Sequence, residues 1–158
     1  MPIVDTPTLS NAQIGKCGEL LVQYHLLKRG IESAPMTTDA GIDLVAYFPE
    51  SARPVTIQVK TNLQPTPGGG RGKMALGWWV SETSPAEWVA LVNLETQRIW
   101  LILHRDLSAI AHQRSSGRLH LYFYTDPQAD PRLGNRLARD FDRYLFDQQI
   151  EKLLVPLI

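Results

Sequence analysis

A mixed α/β fold, with a mixed sheet flanked by helices, is what this sequence predicts. A capped helical segment opens the chain, short runs of alternating or continuous apolar residues follow it, and helical patterning returns near the C-terminal end. With 158 residues and ordinary apolar and charged fractions, the expectation is a single domain spanning residues 1–158, with one core and one site.

Ser10 followed by Gln13 fits a capping box, and the segment from Asn11 to Arg29 is rich in helix formers and stops at Gly30. On that helix Ile14, Cys17, Leu20, Leu21, Tyr24 and Leu27 make one broad apolar face, while Val22 and Leu26 add apolar surface on another side. Cover on more than one side is therefore expected.

Ile31 to Met36 can form a short strand. Gly41 to Phe48 is the clearer one, with Ile42, Leu44 and Ala46 on one face and Asp43, Val45 and Tyr47 on the other. After the turn-like segment 49–54, Val55, Ile57 and Val59 alternate with Thr56, Gln58 and Lys60, which reads as a third strand folding back on the second. Pairing Leu44 with Val59 keeps the aliphatic set on one face and sets Asp43 opposite Lys60 and Val45 opposite Gln58.

Residues 62–77, with their PTPGGGRGK run, read as a flexible loop, because glycine and proline oppose both helix and strand. Trp88 to Leu94 and Ile99 to Leu103 read as two nearly continuous apolar strands central to a sheet. A short helix over Asp106 to His112, a strand over Leu119 to Tyr124 and a long helix beginning near Pro131 complete the order, with no internal repeat.

The single cysteine, Cys17, excludes an internal disulfide and a thiolate zinc cluster, which favours a cytoplasmic setting over a secreted one. The N-terminal MPIVDTPTLS lacks a basic segment followed by an apolar core, and no run is long enough to span a bilayer. Sixteen basic residues balance sixteen acidic ones, so a polyanionic partner is not implied globally. Locally, no acid falls between Ser51 and Ser81 while Arg53, Lys60, Arg71 and Lys73 do, which would make one side positive.

Three short motifs carry the chemistry: Gly15-Lys16-Cys17-Gly18-Glu19, Gly41-Ile42-Asp43 and Gln58-Val59-Lys60-Thr61. Together they resemble the PD-(D/E)XK nuclease superfamily of restriction enzymes and Holliday junction resolvases, over roughly residues 11–62. The resemblance implies a restriction endonuclease-like αβββαβ core. It implies that Asp43 is the metal-binding aspartate, that Lys60 is the lysine closing the pattern, and that Glu19 matches the helix-one glutamate. Gln58 stands where the usual pattern has an acid, a variant similar to that of the group I intron homing endonucleases of the superfamily.

The implied activity is phosphodiester hydrolysis of nucleic acid, with DNA favoured. Mg²⁺ or Mn²⁺ prefers oxygen donors, which Asp43, the Gln58 amide oxygen, the Val59 carbonyl and Glu19 could supply. Lys60 would orient the attacking water or stabilise developing charge. A catalytically inactive nuclease fold that binds nucleic acid without cutting it, or serves as an interaction module, is the alternative reading, and a homodimer is left open.

Each residue also has a structural reading. Glu19 could pair with Lys16 on the helix surface, Asp43 could face solvent or cap a turn begun at Asp39, and Gln58 and Lys60 could belong to any half-exposed strand. Lys16, Thr61, Asn62, Arg71 and Lys73 are candidate phosphate contacts, set against a solvated loop. Trp78 and Trp79 could stack on unpaired bases, though burial in the core is favoured. Arg132, Arg136, Arg139 and Arg143 would form one stripe on the last helix, where pairing with Asp140, Asp142 and Asp147 is favoured over a nucleic-acid clamp. His25, His104, His112 and His120 lack ligand spacing, and no nucleotide-binding glycine loop occurs, so zinc and NTP hydrolysis are disfavoured.

Overall fold

The computed structural model describes residues 7–38, 40–50, 53–133 and 136–154. The first helix, α1, spans Asn11–Leu27. Its capping box is formed as the sequence predicts: the Ser10 hydroxyl accepts from the Gln13 amide at 3.2 Å, and the Ser10 amide donates to Gln13 Oε1 at 2.8 Å. Gly30 takes φ +73°, the left-handed position that ends the helix.

The strands are β1 (Glu32–Pro35), β2 (Leu44–Tyr47), β3 (Val55–Asn62), β4 (Thr66–Pro67), β5 (Met74–Ser81), β6 (Trp88–Asn93), β7 (Arg98–Leu103), β8 (Gln113–Ser115) and β9 (Arg118–Tyr124). Helix α2 covers His104–Ile110 and α3 covers Phe146–Leu154. One sheet has the order β1-β2-β3-β6-β7, in which only the β3–β6 pair is parallel; the second has the order β4-β5-β9-β8 and is antiparallel. The crossover from β3 to parallel β6 runs through β5 of the second sheet. The expected mixed sheet with flanking helices is present.

Two hydrophobic layers sandwich the larger sheet. On one face Leu44, Ala46, Ile57, Trp88, Ala90, Val92, Ile99 and Leu101 meet Val22 and Leu26 of α1 and Phe146, Ile150 and Leu153 of α3. On the other face Val89, Leu91, Trp100 and Ile102 meet Leu76, Trp78 and Val80 of β5 and Leu119, Leu121 and Phe123 of β9. β6 and β7 are nearly continuous in apolar residues because both faces are buried. β6 lies inside the sheet as expected, whereas β7 ends it, with a single bridge from Trp100 to Leu145 beyond.

Several expectations are corrected. β2 pairs with β3 as Leu44 to Ile57, two residues from the predicted register. Alternation fixes register only modulo two, so the aliphatic face is preserved while the partners change. Val45 lies opposite Thr56, and continuing the ladder sets Asp43 opposite Gln58 rather than Lys60.

The segment 62–77 is an ordered excursion. It holds the end of β3, β4, a 3₁₀ turn at Gly68–Gly70 and the start of β5, and the Gly68 carbonyl accepts from both the Arg71 and Gly72 amides. The buried stripe of α1 is Gly18, Val22 and Leu26, whereas Leu20, Tyr24 and Leu27 are exposed. Helical spacing alone does not say which of two apolar stripes faces the sheet.

No long helix begins at Pro131. Residues 131–133 and 138–144 are 3₁₀ turns, and Leu145, at ψ +146°, separates the second from α3. The Asp140 carboxylate accepts from the Leu137 amide at 3.2 Å and holds that turn. The arginine stripe therefore does not form. Arg132 binds Asp130 at 3.0 Å, Arg136 donates to the Ile110 carbonyl, and Arg143 lies over the Tyr144 ring at 4.8 Å. Asp147 pairs with Arg29, so the expected pairing of these arginines with Asp140, Asp142 and Asp147 is not what organises the segment. Asp39, where a turn is expected to begin, lies outside the described residues.

Candidate functional site

β3 is the strand on which the predicted site residues converge. Its parallel register with β6 sets Gln58 beside Val89 and Lys60 beside Leu91, on the face turned toward the second sheet; Val59 and Thr61, beside Ala90 and Val92, face α1. Further along the same row, Asn62 Nδ2 donates to the Gly77 carbonyl of β5 at 2.9 Å, tying the two sheets together at this point.

Asp43 enters from the residue before β2. Its amide donates to the Ile57 carbonyl at 2.9 Å, and its Oδ2 accepts from the Val59 amide at 2.6 Å. The carboxylate is thus fixed against the Gln58–Val59–Lys60 backbone by a charge-assisted bond. Gln58 is 6 % exposed, and its Oε1 is sealed from solvent with no hydrogen-bond partner. A buried amide oxygen without a donor is costly unless something fills that role. Lys60 is partly buried and makes no ion pair with a described residue.

α1 reaches β3 from the opposite face through Gly18. A β-carbon there would lie 1.8 Å from Thr61 Oγ1 and 2.9 Å from Thr61 Cβ, so only glycine permits this approach. Glu19 is the next residue, and its carboxylate is engaged by Lys16 Nζ at 2.9 Å, the surface pair considered above. Among the described residues, no three His, Cys, Asp or Glu side chains cluster as a metal site. Any cation held here would use a mixed set of carboxylate and amide oxygens. That set of hard donors fits a Mg²⁺-type ion, and the unpartnered Gln58 oxygen is the observation in its favour.

The candidate phosphate contacts divide. Lys16 is occupied by Glu19, and Thr61 Oγ1 is buried against Gly18, while Asn62 bridges to β5. Arg71 and Lys73 stand exposed on the Gly-run turn. Arg53 is not free, since it pairs with Glu87 at 2.6 Å.

Trp78 is core, 3 % exposed, as favoured. Trp79 lies on the outer face of the second sheet, stacked on His120 with centroids 4.2 Å apart and with the Arg118 guanidinium 5.1 Å from its ring. Burial and the neighbouring His112 lower the pKa of His120. The functional part of Gly18 and the Asn62 tether were missed from sequence; a second glycine within four residues of the helix motif was the available signal for the first.

No protein-family profile and no curated protein matches the chain. Three solved structures are similar to it. A bacterial homing endonuclease aligns at 16 % identity with a TM-score of 0.53, covering 94 % of this chain and all of its own. The Holliday junction resolvase Hjc of Archaeoglobus fulgidus aligns at 17 % identity and TM-score 0.47, covering 68 % of this chain and 82 % of its own. MepB aligns at 11 % identity and TM-score 0.41, over 87 % and 96 % of the two chains. Among the described residues, no helix is long and apolar enough to cross a membrane. At these identities the first likeness speaks for shape alone: the chain has the fold of a homing endonuclease, a mixed α/β nuclease fold.

Proposed function

We propose that this chain is a metal-dependent nuclease of the PD-(D/E)XK superfamily that hydrolyses DNA phosphodiesters at the Asp43–Gln58–Lys60 site. The observation that carries the reading is the buried, partnerless Gln58 oxygen beside an Asp43 carboxylate pinned to the Val59 amide. The fold shared with a bacterial homing endonuclease supports it.

Asp43 and Gln58 would hold Mg²⁺ or Mn²⁺ together with the Val59 carbonyl, while Glu19, on the α1 side of β3 and engaged by Lys16, would act only through water. When bound, such an ion offsets negative charge on the phosphoryl oxygens and acidifies water. Lys60 sits on the same face as Gln58, where its ammonium would orient the attacking water and stabilise charge as the P–O bond breaks. Asp43, fixed by Val59, needs little reorganisation to keep its carboxylate in place. Arg71 and Lys73, exposed on the neighbouring turn, would contact the backbone of the strand being cut.

A second reading, a nuclease fold that binds DNA without cutting it, is favoured by one observation: glutamine at residue 58 contributes no negative charge to the metal. Incubation with linear, branched and single-stranded DNA plus Mg²⁺ or Mn²⁺, beside Lys60→Ala, separates the two. Products that disappear in the variant support the nuclease. Salt-sensitive binding with no product under any condition supports the binding module and sinks the nuclease reading.

A further inference from the structure

A cavity of about 200 Å³ opens where the paired residues Trp88 and Leu103 meet α2, the 138–144 turn and α3. Its wall includes Gln149, which is 5 % exposed and whose Oε1 is buried without a hydrogen-bond partner. Amide oxygen and nitrogen exchange by a simple rotation, so this side chain can offer either a donor or an acceptor to an occupant.

Two cations line the same space. Arg143 and Lys152 make no ion pair with any described residue. Arg143 is held in place, with its guanidinium 4.8 Å from the Tyr144 centroid and Nη2 donating to the Tyr144 hydroxyl at 3.3 Å, which leaves most of its donors unused. One acid, Asp106, shares the wall, and its contact with Arg105 Nε is long, at 4.0 Å.

We propose that this cavity binds a phosphate group, either free inorganic phosphate or the terminal phosphate of a nucleic-acid strand. Two cations against one carboxylate favour an anion. The volume, several times the roughly 30 Å³ share of a water molecule, accommodates phosphate with its first waters or an attached ester. Arg143 matches phosphate oxygens as a fork and Lys152 as a point charge. Asp106 adds selectivity, because a carboxylate accepts from a protonated phosphate oxygen, whereas sulfate near neutral pH carries no proton to give. None of these residues belongs to the Asp43–Lys60 site, so the inference stands apart from the nuclease reading.

The test is binding in EDTA at about pH 5.5, where both inorganic phosphate and a phosphate monoester, whose second pKa is about 6, still hold a proton. Inorganic phosphate and sulfate at matched ionic strength are compared by calorimetry and thermal shift. A 5′-phosphorylated oligonucleotide is compared with its 5′-hydroxyl twin. Phosphate binding that exceeds sulfate binding and weakens about tenfold or more in Arg143→Ala and in Lys152→Ala supports the site. Both side chains reach solvent, so the variants should fold. A preference for the phosphorylated oligonucleotide that both variants abolish also supports it and identifies the source as a strand terminus; equal binding of the twins, with inorganic phosphate still bound, identifies the free anion. Equal response to phosphate and sulfate, or phosphate binding unchanged in both variants, overturns the proposal.

Discussion

Gly18→Ala probes the contact that brings α1, and with it Glu19, to the end of β3. The added β-carbon would fall 1.8 Å from Thr61 Oγ1 and 2.9 Å from both Cβ and Cγ2 of Thr61. An ordinary carbon–oxygen contact is about 3.3 Å, so helix and strand must separate by on the order of 1.5 Å. Because three atoms of a β-branched side chain are met at once, the overpacking cost should reach the upper end of the usual range, about 3 kcal/mol. Replacing a mid-helix glycine by alanine returns about 1 kcal/mol of helix propensity, leaving a net loss of about 2 kcal/mol. For a chain of this size that lowers the Tm by roughly 4–8 °C.

Thermal unfolding of wild type, Gly18→Ala, Thr61→Ala and the double variant tests this as a cycle. Thr61→Ala alone should be nearly neutral, since it removes a buried hydroxyl that has no partner. In the double variant the Oγ1 and Cγ2 contacts vanish while the Cβ contact at 2.9 Å persists, so recovery should be partial. A Gly18→Ala protein at or above the wild-type Tm, as helix propensity alone would give, would refute the close approach of α1 to β3.

Other expectations follow from the same packing. Phe123 is fully buried among Trp78, Trp100 and Phe141, with centroids 5.5, 5.1 and 4.9 Å away, so Phe123→Ala should cost about 3–5 kcal/mol in urea unfolding; a loss below about 1 kcal/mol would contradict that core. Of the four tryptophans, Trp78, Trp88 and Trp100 are at most 3 % exposed, so acrylamide-quenchable fluorescence should come from Trp79 and disappear in Trp79→Phe. Burial and the neighbouring His112 hold His120 below its usual pKa of 6.5. The unfolded chain therefore takes up the proton first, and stability should fall as pH drops from about 6.5 toward the folded-state value, with no contribution above it. His120→Gln should flatten that part of the Tm profile, and an unchanged profile would assign the acid sensitivity elsewhere.

How far the sequence discloses this molecule depends on whether a local rule or a tertiary contact decides each feature. The capping box of Ser10 and Gln13 and the stop at Gly30 are local, and both are found as read. The parity of Asp43, Gln58 and the aliphatic set is likewise legible, because a strand has a period of two. The register is not, since a shift of two residues preserves every face, and here it sets Asp43 opposite Gln58. β5 is hidden because Met74 to Gly77 begin it immediately after a glycine-rich turn, and its partner β9 is distant in sequence, with Ala75 paired to Tyr124 and Ser81 to Arg118. The arginines of 132–143 have helical spacing, yet Asp140 capping Leu137 and the extended Leu145 turn that segment into 3₁₀ pieces. As for the site, the motif names Asp43, Gln58 and Lys60, while the Asp43–Val59 bond and the unsatisfied Gln58 oxygen emerge only from the folded chain.

That oxygen also offers the most direct test of the proposed metal site. Mn²⁺ binding in the presence of DNA can be followed by the electron paramagnetic resonance of the free ion, in wild type, Gln58→Glu and Asp43→Ala. The account predicts tighter binding by about tenfold or more in Gln58→Glu, since a carboxylate replaces a neutral amide ligand, and loss of the bound ion in Asp43→Ala. Binding that is the same in all three proteins would contradict a metal held by Asp43 and Gln58.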